Sequence, residues 1–232
     1  MSRVLVVQNG LSGGPGRFGD WLTAQGLTLD VVHAYAGAPL PRRLDHAAVM
    51  VLGGGYLPDD DLRAPWLADT RALVGEALER DAPVFGICLG GQLLAQVAGG
   101  MVRGRHGEPE YGSTPLSLRP EAGADPLFRG LPGRVSAIEH HVDAVTALPP
   151  GASWLMESEG CPYQAFRVGD RAWGVQFHPE ADADRVRSWD PERIRALGLD
   201  PAELSRRAEH DEPAAAAVWH QVARRFAAVV GG

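Results

Sequence analysis

The chain has 232 residues and a mass of 24.8 kDa, and its 45% apolar and 22% charged residues are typical of a folded globular protein rather than a disordered one. Its formal net charge is −7, so we expect neither nucleic acid nor an anionic membrane as a partner. All 22 basic residues are Arg, which excludes a Walker-type phosphate loop and a lysine general base. Any ATP-binding half is therefore expected in another chain.

The chain contains two cysteines, Cys88 and Cys161, too few for a disulfide framework or a CxxC pair. The apolar run over 4–7 is too short for a signal peptide. The uncharged stretch over 82–102 contains two Gln and five Gly, which favours strand, turn and helix over a membrane span. We therefore predict a cytoplasmic protein, with Cys161 as a structural residue.

The first hundred residues alternate between β-branched runs and amphipathic segments. In chain order, the pattern predicts strands over 4–7, 28–33, 47–52 and 83–87, and helices over 18–25, 65–78 and 89–98. Such alternation is typical of parallel β-α-β units with helices on both sheet faces. The predicted fold class is therefore α/β, with an open, doubly wound, mostly parallel sheet.

From residue 101 onward the pattern changes to short strands separated by turns. These additional strands, expected to pair in antiparallel fashion, are predicted over 114–118, 135–139, 144–148, 153–157, 164–168 and 172–177. The tail is predicted to be helical, with one helix opening at Pro201 and a last one over 212–229. We expect a single domain over 1–232, with a catalytic core over about 1–180 and a helical extension over about 181–232.

A nucleophile-elbow pattern follows the predicted strand over 83–87. Cys88 stands between Gly86 and Gly90, and the strained turn from strand to helix needs residues without a Cβ at these two positions. Because the sulfur would face the positive end of the helix dipole, a reactive thiolate is favoured. The pattern predicts a catalytic cysteine, and a small buried structural residue is the alternative.

Two further polar residues, His178 and Glu180, end the last predicted strand and flank Pro179. Alternation along an extended chain places their side chains on the same side, so the carboxylate can orient the imidazole. With Cys88 they would fill the roles of nucleophile, general base and orienting group. Taken alone, this His-Pro-Glu sequence is also compatible with a solvent-exposed strand end.

A run of three glycines, Gly53 to Gly55, directly follows the predicted strand over 47–52. Its backbone N–H groups are suited to half of an oxyanion hole, and a simple turn is the alternative. Phosphate binding is disfavoured, because the dinucleotide spacing of glycines and a Lys are both missing.

The run over 139–143 suggests a metal site together with His178 and Glu180. Its adjacent histidines, His140 and His141, would point to opposite faces of a strand, so one of them is expected at the surface. We predict neither a metal nor a cofactor.

The three motifs occur in the order Gly-Gly loop, Gly-x-Cys-x-Gly elbow and Phe-His-Pro-Glu. In this order they resemble the motifs of the class I (triad) glutamine amidotransferases. The chain more closely resembles the stand-alone, GMP synthase-like members of that family. The resemblance covers nearly the whole chain. The stretches that carry it are 4–21, 52–78, 86–92, the segment around 141, 148–152 and 174–180. It implies a flavodoxin-like α/β fold and a glutaminase activity.

The resemblance implies a role for each member of the triad. Cys88 would attack the γ-carboxamide of glutamine, His178 would pass a proton to the leaving ammonia, and Glu180 would hold His178. Water would then hydrolyse the γ-glutamyl thioester.

The resemblance also implies how the substrate is held. The backbone of Gly54 or Gly55 and of Leu89 would form the oxyanion hole, and Gln92 would help to bind the glutamyl part.

The turn from His141 to Asp143 would line the same pocket. Three positions depart from the family pattern: Gly55 stands where Pro is more common, Gly91 where a larger residue is usual, and Val142 where Gly is common. None belongs to the triad, but they leave the remainder of the substrate undetermined.

The leading hypothesis is a cysteine hydrolase that releases ammonia from glutamine, for a separate synthetase partner or on its own account. One alternative is a γ-glutamyl peptidase or hydrolase acting on a larger amide, for which Gly55 and Gly91 would provide room. A second alternative is a catalytically silent regulatory subunit, against which the intact triad argues.

Overall fold

The computed structural model describes residues 2–232, which form a nine-stranded mixed sheet covered by helices on both faces. The strands, in chain order, are β1 (Arg3–Gln8), β2 (Thr28–His33), β3 (Ala48–Val51), β4 (Val84–Ile87), β5 (Met101–Arg103), β6 (Glu110–Leu118), β7 (Arg134–His141), β8 (Ala144–Ala147), β9 (Ser153–Glu157), β10 (Ala165–Val168) and β11 (Ala172–Val175). The α-helices are α1 (Gly16–Ala24), α2 (Trp66–Glu79), α3 (Leu89–Val97), α4 (Ala183–Arg187), α5 (Pro191–Ala196) and α6 (Pro201–Gly231).

The sheet order is β2-β1-β3-β4-β11-β10-β9-β6-β7, and β5 pairs separately with β8. Neighbours from β2 to β11 are parallel, and neighbours from β11 to β7 are antiparallel. The predicted fold class is confirmed: a doubly wound parallel half carries added antiparallel strands. Among residues 2–232, no helix combines the length and the apolar character needed to cross a membrane.

Two apolar layers cover the two faces of the sheet. One layer packs α1 and α6 on the sheet, where Phe85 of β4 stacks on Phe18 at 4.8 Å between ring centroids and also contacts Phe226. The other layer packs α2 and α3 on the opposite face. Because β3 and β4 are buried from both sides, they are continuous apolar runs rather than alternating ones.

The prediction of two helices in the tail is wrong, because a single helix, α6, runs from 201 to 231 through Pro213. A proline inside a helix costs about 3 kcal/mol, since it removes one hydrogen bond and crowds the preceding turn. Here the ring lies on the exposed face of the helix. Buried residues hold the helix on both sides of the proline, including Ala208 before it and Trp219 after it, and Trp219 Nε1 donates to the Ser136 carbonyl at 3.0 Å.

Arg17 of α1 connects α6 to the loop that follows β11. Its guanidinium pairs with Glu212 of α6, and its Nε donates to the Pro179 carbonyl at 3.0 Å. The other carboxylate oxygen of Glu212 accepts from the Ala183 N–H at 3.2 Å. The Arg17 N–H also donates to the Glu180 carbonyl at 3.2 Å, so the C-terminal helix helps to hold the loop that carries Glu180.

Candidate active site

Three neighbouring parallel strands deliver the predicted site residues to one edge of the sheet. β4 lies between β3 and β11, and it is parallel to both. Because parallel strands end at the same edge, the glycine loop after β3, Cys88 after β4 and His178 after β11 converge there. The topology therefore brings together segments that are more than a hundred residues apart in the chain.

Cys88 adopts the strained backbone that the elbow pattern predicts, with φ at 51° and ψ at −109°. Its N–H donates to the Val175 carbonyl at 2.8 Å. A Cβ on Gly86 would lie 2.4 Å from the Gly90 carbonyl oxygen, and a Cβ on Gly90 would lie 2.0 Å from the Val51 carbonyl oxygen. Both glycines are therefore required for the close approach of α3 to the sheet.

His178 and Glu180 form a close pair, with 2.7 Å between Nδ1 and Oε1. The imidazole and Cys88 both border Gly53, because a Cβ built there would lie 3.0 Å from His178 Cε1 and 3.5 Å from Cys88 Cβ. Within residues 2–232, the buried Nε2 of His178 makes no hydrogen bond of ordinary geometry. Cys88, His178 and Glu180 therefore lie together, and Nε2, the second imidazole nitrogen of His178, is not bonded to Glu180.

Burial and the charge of Glu180 act in opposite directions on the pKa of His178. Burial alone would lower the pKa of His178, but the Glu180 carboxylate and the neighbouring Cys88 sulfur outweigh burial and raise it well above 6.5. The raised pKa favours the protonated imidazole.

The glycine loop presents unpaired backbone donors. Within the described chain, the N–H groups of Gly54 and Gly55 have no protein acceptor, and Leu89 is the first residue of α3, where an N–H has no partner inside the helix. Asn9, which follows β1, supports the loop by donating from Nδ2 to the Leu52 carbonyl at 2.8 Å. These donors have the character needed to receive a developing oxyanion.

The two glycines expected to provide room for a larger substrate differ in their surroundings. No atom lies within 4 Å of a Cβ built on Gly55, so space is open there. A Cβ on Gly91 would lie 2.6 Å from the Val175 carbonyl oxygen, because α3 packs directly on β11. Gly91 is therefore a packing requirement, and the expectation that it provides room for the substrate is wrong.

Gln92 and Asp143 are in contact, though through the backbone of Asp143. Gln92 Nε2 donates to the Asp143 carbonyl at 3.0 Å, while Asp143 Oδ1 accepts from the Arg105 N–H at 2.8 Å. The ring of His141 is buried, with Nδ1 3.1 Å from the Asp143 carbonyl oxygen. His140 is exposed, as the alternation along a strand predicts.

A buried polar cluster surrounds the second nitrogen of His141. Its Nε2 lies 3.0 Å from Glu110 Oε2, and one ligand atom each of Glu110, His141 and Cys161 lies within 4.8 Å of the others. This set differs from the combination with His178 and Glu180 considered from the sequence. Burial and the charges of Glu139 and Glu110 raise the pKa of Cys161 to about 12, which favours the neutral thiol.

Glu139 lies in the same cluster and was not singled out from the sequence. Its side chain is 0% exposed, its Oε2 lies 3.4 Å from His141 Nε2, and neither carboxyl oxygen has a hydrogen-bond partner of ordinary geometry in residues 2–232. Burial and the charge of Glu110 raise its pKa well above 4.5. The environment of Glu139 therefore favours the protonated form of its carboxyl group.

Comparison with known proteins is consistent with this geometry. Residues 19–188 match the family model "Glutamine amidotransferase class-I". A glutamine-hydrolyzing GMP synthase of Thermus thermophilus is 41% identical over 174 residues, which is 68% of this chain and 32% of that protein. A subunit of the glutamine-hydrolyzing GMP synthase of Thermococcus kodakarensis is 43% identical over 103 residues, 44% of this chain and 53% of that subunit.

The crystal structure of a glutamine amidotransferase from Thermotoga maritima superposes with a TM-score of 0.87 at 26% identity, covering 97% of this chain and 98% of that one. Fold and site together define an α/β enzyme built around a cysteine nucleophile elbow. The chain belongs to the class I glutamine amidotransferase family. It spans about a third to a half of the length of these curated relatives.

We expect Glu139→Gln to change how stability depends on pH. The raised pKa of Glu139 means that the wild-type protein loses stability as the pH rises above 4.5, because the native state resists ionisation at this site. Gln has the same shape and cannot ionise. The free energy of unfolding of the variant, relative to wild type, should therefore rise with pH, by up to about 1.4 kcal/mol per pH unit.

Urea titrations between about pH 5 and pH 8 would measure this difference. The exposed Glu121→Gln serves as the matched control and should retain the wild-type profile. Equal pH slopes for Glu139→Gln and wild type would contradict a raised pKa of Glu139.

Proposed function

We propose that this chain hydrolyses the γ-amide of glutamine through a γ-glutamyl thioester and releases ammonia for a separate synthetase. The observation that carries the proposal is the placement of Cys88 on a strained elbow beside the His178–Glu180 pair. Nucleophile, proton carrier and orienting carboxylate are the parts that acyl transfer from an amide requires.

The proposed reaction begins with the Cys88 sulfur forming a bond to the γ-carbonyl carbon. The carbonyl π electrons move to oxygen, which receives hydrogen bonds from the N–H groups of Gly54 or Gly55 and of Leu89. When the tetrahedral intermediate collapses, the carbon–nitrogen bond breaks and His178 gives its proton to the departing ammonia. Water activated by His178 then attacks the thioester, which yields glutamate and regenerates the thiol.

A synthetase partner is proposed from the nature of the relatives. Two archaeal relatives are named as subunits of glutamine-hydrolyzing GMP synthases, and such a designation implies that a second subunit completes the enzyme. The chain contains no Lys, so a P-loop lysine for ATP chemistry has to come from elsewhere. We place the reaction in the cytoplasm, where free thiols such as Cys88 persist.

The open space beside Gly55 favours one alternative substrate class. A stand-alone hydrolase would cleave a γ-glutamyl amide whose leaving amine is larger than ammonia, and such an amine needs room next to the oxyanion loop. The thioester chemistry would be the same. The assembled Cys-His-Glu group argues against a silent regulatory subunit.

Replacement of the nucleophile tests the proposal directly. Cys88→Ala or Cys88→Ser should lower turnover by at least about a thousandfold without unfolding the protein, because no other group can form the thioester. Cys161→Ala, the second cysteine of the chain, is the control and should keep wild-type turnover. Release of ammonia or amine from glutamine and a panel of γ-glutamyl amides would be measured, and activity retained by Cys88→Ala would remove Cys88 from the reaction.

Variants of His178 and Glu180 separate their roles. His178→Ala should be nearly as damaging as loss of the thiol, since leaving-group protonation depends on this imidazole. Glu180→Gln should cost less, about ten- to a hundredfold, because the amide still accepts a hydrogen bond but no longer raises the pKa of His178. Steady-state kinetics decide the matter, and a Glu180→Gln defect larger than that of His178→Ala would show the roles to be misassigned.

Addition of a synthetase distinguishes the amidotransferase component from the stand-alone hydrolase. An amidotransferase component should have low glutaminase activity alone and higher activity with its synthetase, because a peptide flip in the Gly53–Gly55 loop can switch the oxyanion hole. A stand-alone hydrolase should cleave a larger γ-glutamyl amide without a partner. A glutamine-like diazoketone should label Cys88 in both cases, so absence of an adduct together with absence of turnover would favour the silent regulatory protein.

A further inference from the structure

The side chain of Gln176 faces the sulfur of Cys88. Its Nε2 lies 3.6 Å from Sγ, within hydrogen-bond distance for a sulfur acceptor, and Gln176 is 3% exposed. We propose that Gln176 is a further catalytic residue, whose amide N–H donates a hydrogen bond to the Cys88 thiolate and stabilises it. Gln92 is then the positioning residue that orients this amide. The proposal rests on the proposed function of Cys88 as the nucleophile.

The orientation of the Gln176 amide follows from a backbone carbonyl. The Asp143 carbonyl oxygen can only accept, so the Gln92 atom 3.0 Å away must be the Nε2 donor. The same nitrogen lies 3.1 Å from the Gln176 amide, and as a donor it requires the oxygen, Oε1, on that side. The remaining amide atom, Nε2, is therefore the one that faces the sulfur. The hydrogen bonds from Gln92 to Asp143 and from Gln92 to Gln176 thus orient the Gln176 amide so that its Nε2 donor faces the Cys88 sulfur.

The backbone around Gln176 keeps the donor in place. Its N–H donates to the Gln164 carbonyl at 2.9 Å, and two residues later the His178 N–H donates to the Ile138 carbonyl at 2.8 Å. Residues two apart on an extended chain point the same way, so Gln176 and His178 both face Cys88. The Cys88 sulfur therefore has two polar neighbours, the neutral amide of Gln176 and the imidazole of His178.

A neutral donor serves a different purpose from the imidazolium. His178 has to give its proton away during the reaction, so its stabilisation of the thiolate changes from step to step. The Gln176 amide does not titrate, and a hydrogen bond to a charged acceptor is stronger than one to a neutral acceptor. Gln176 would therefore favour the charged sulfur both before attack and when the thioester is broken.

Gln92 acquires a role that differs from direct substrate binding. Both hydrogens of its side-chain amide are engaged inside the protein, one on the Asp143 carbonyl and one on Gln176 Oε1. The donor end of Gln92 is thus unavailable to a substrate unless these bonds break. Loss of this amide should accordingly affect the reactivity of Cys88 even without substrate.

The test compares three Gln→Met substitutions in a Cys161→Ala background. Gln176→Met removes the donor, and Gln92→Met removes the contact that orients this donor. Gln96→Met is the matched control, since Gln96 lies one turn further along α3 and the side-chain hydrogen bonds of Gln92 and Gln176 do not involve it. The rate of Cys88 alkylation by iodoacetamide is measured by peptide mass spectrometry at about pH 6 and about pH 9. Tm values are measured alongside, because a purely structural role would change Tm but not the ratio of the two rates.

Relative to the Cys161→Ala parent, Gln176→Met should lower the ratio of the rate at pH 6 to that at pH 9 by about three- to tenfold, as expected for loss of a hydrogen bond to a charged group. Gln92→Met should show most of this decrease, and Gln96→Met none. With glutamine, Gln176→Met should lower kcat more than it raises KM.

A ratio in folded Gln176→Met equal to that of the Cys161→Ala parent would overturn the inference, whatever the Tm of the variant. If Gln176→Met fails to fold, Gln92→Met decides: a ratio equal to that of Gln96→Met would overturn it equally. The alkylation ratio requires no substrate, so it remains informative if glutamine is not hydrolysed. Failure of the proposed function would instead appear as turnover that survives in Cys88→Ala.

Discussion

The close approach of α3 to the sheet is the constraint on which the rest of the site depends. Gly86, Gly90 and Gly91 meet backbone atoms at distances that no Cβ could occupy, so helix and strands can approach until Cys88 is forced into a positive φ. Backbone strain of this kind costs about 1–3 kcal/mol and persists only where surrounding packing imposes it. The apolar layers on both sides of β4 supply that packing. The elbow is thus maintained by the core.

Much of this architecture could be predicted from local sequence. Strands β1, β3 and β4 are short, largely apolar runs, and the elbow glycines are fixed by local sterics, so both are visible in a single stretch of chain. The His178–Glu180 contact, two residues apart, is equally local. Local patterns therefore identify the residues of the triad, while the parallel order β3-β4-β11 that brings them together is a property of the sheet.

The features that escaped prediction depend on distant parts of the chain. Pro213 is a local signal for a helix end, but the packing of α6 on both sides of it overrides that signal. The Gln92–Gln176 contact joins residues 84 positions apart, and neither glutamine has a local pattern that reveals the other. The surroundings of Gly91 were misjudged for the same reason, since its neighbour is the backbone of β11. Long-range contacts decide which polar groups are partners.

The bridge from Arg17 through Glu212 to the loop around Glu180 has a consequence for biosynthesis. The ribosome makes the segment over 201–231 after all the catalytic residues, and that segment has to leave the exit tunnel before Glu212 can pair with Arg17. The elbow depends on the same late segment, since Phe226 of α6 packs on Phe85 in one of the two apolar layers that cover β4. Full ordering of the Glu180 loop therefore comes late in synthesis, so the nascent polypeptide contains the thiol well before it contains the completed apparatus that would use it.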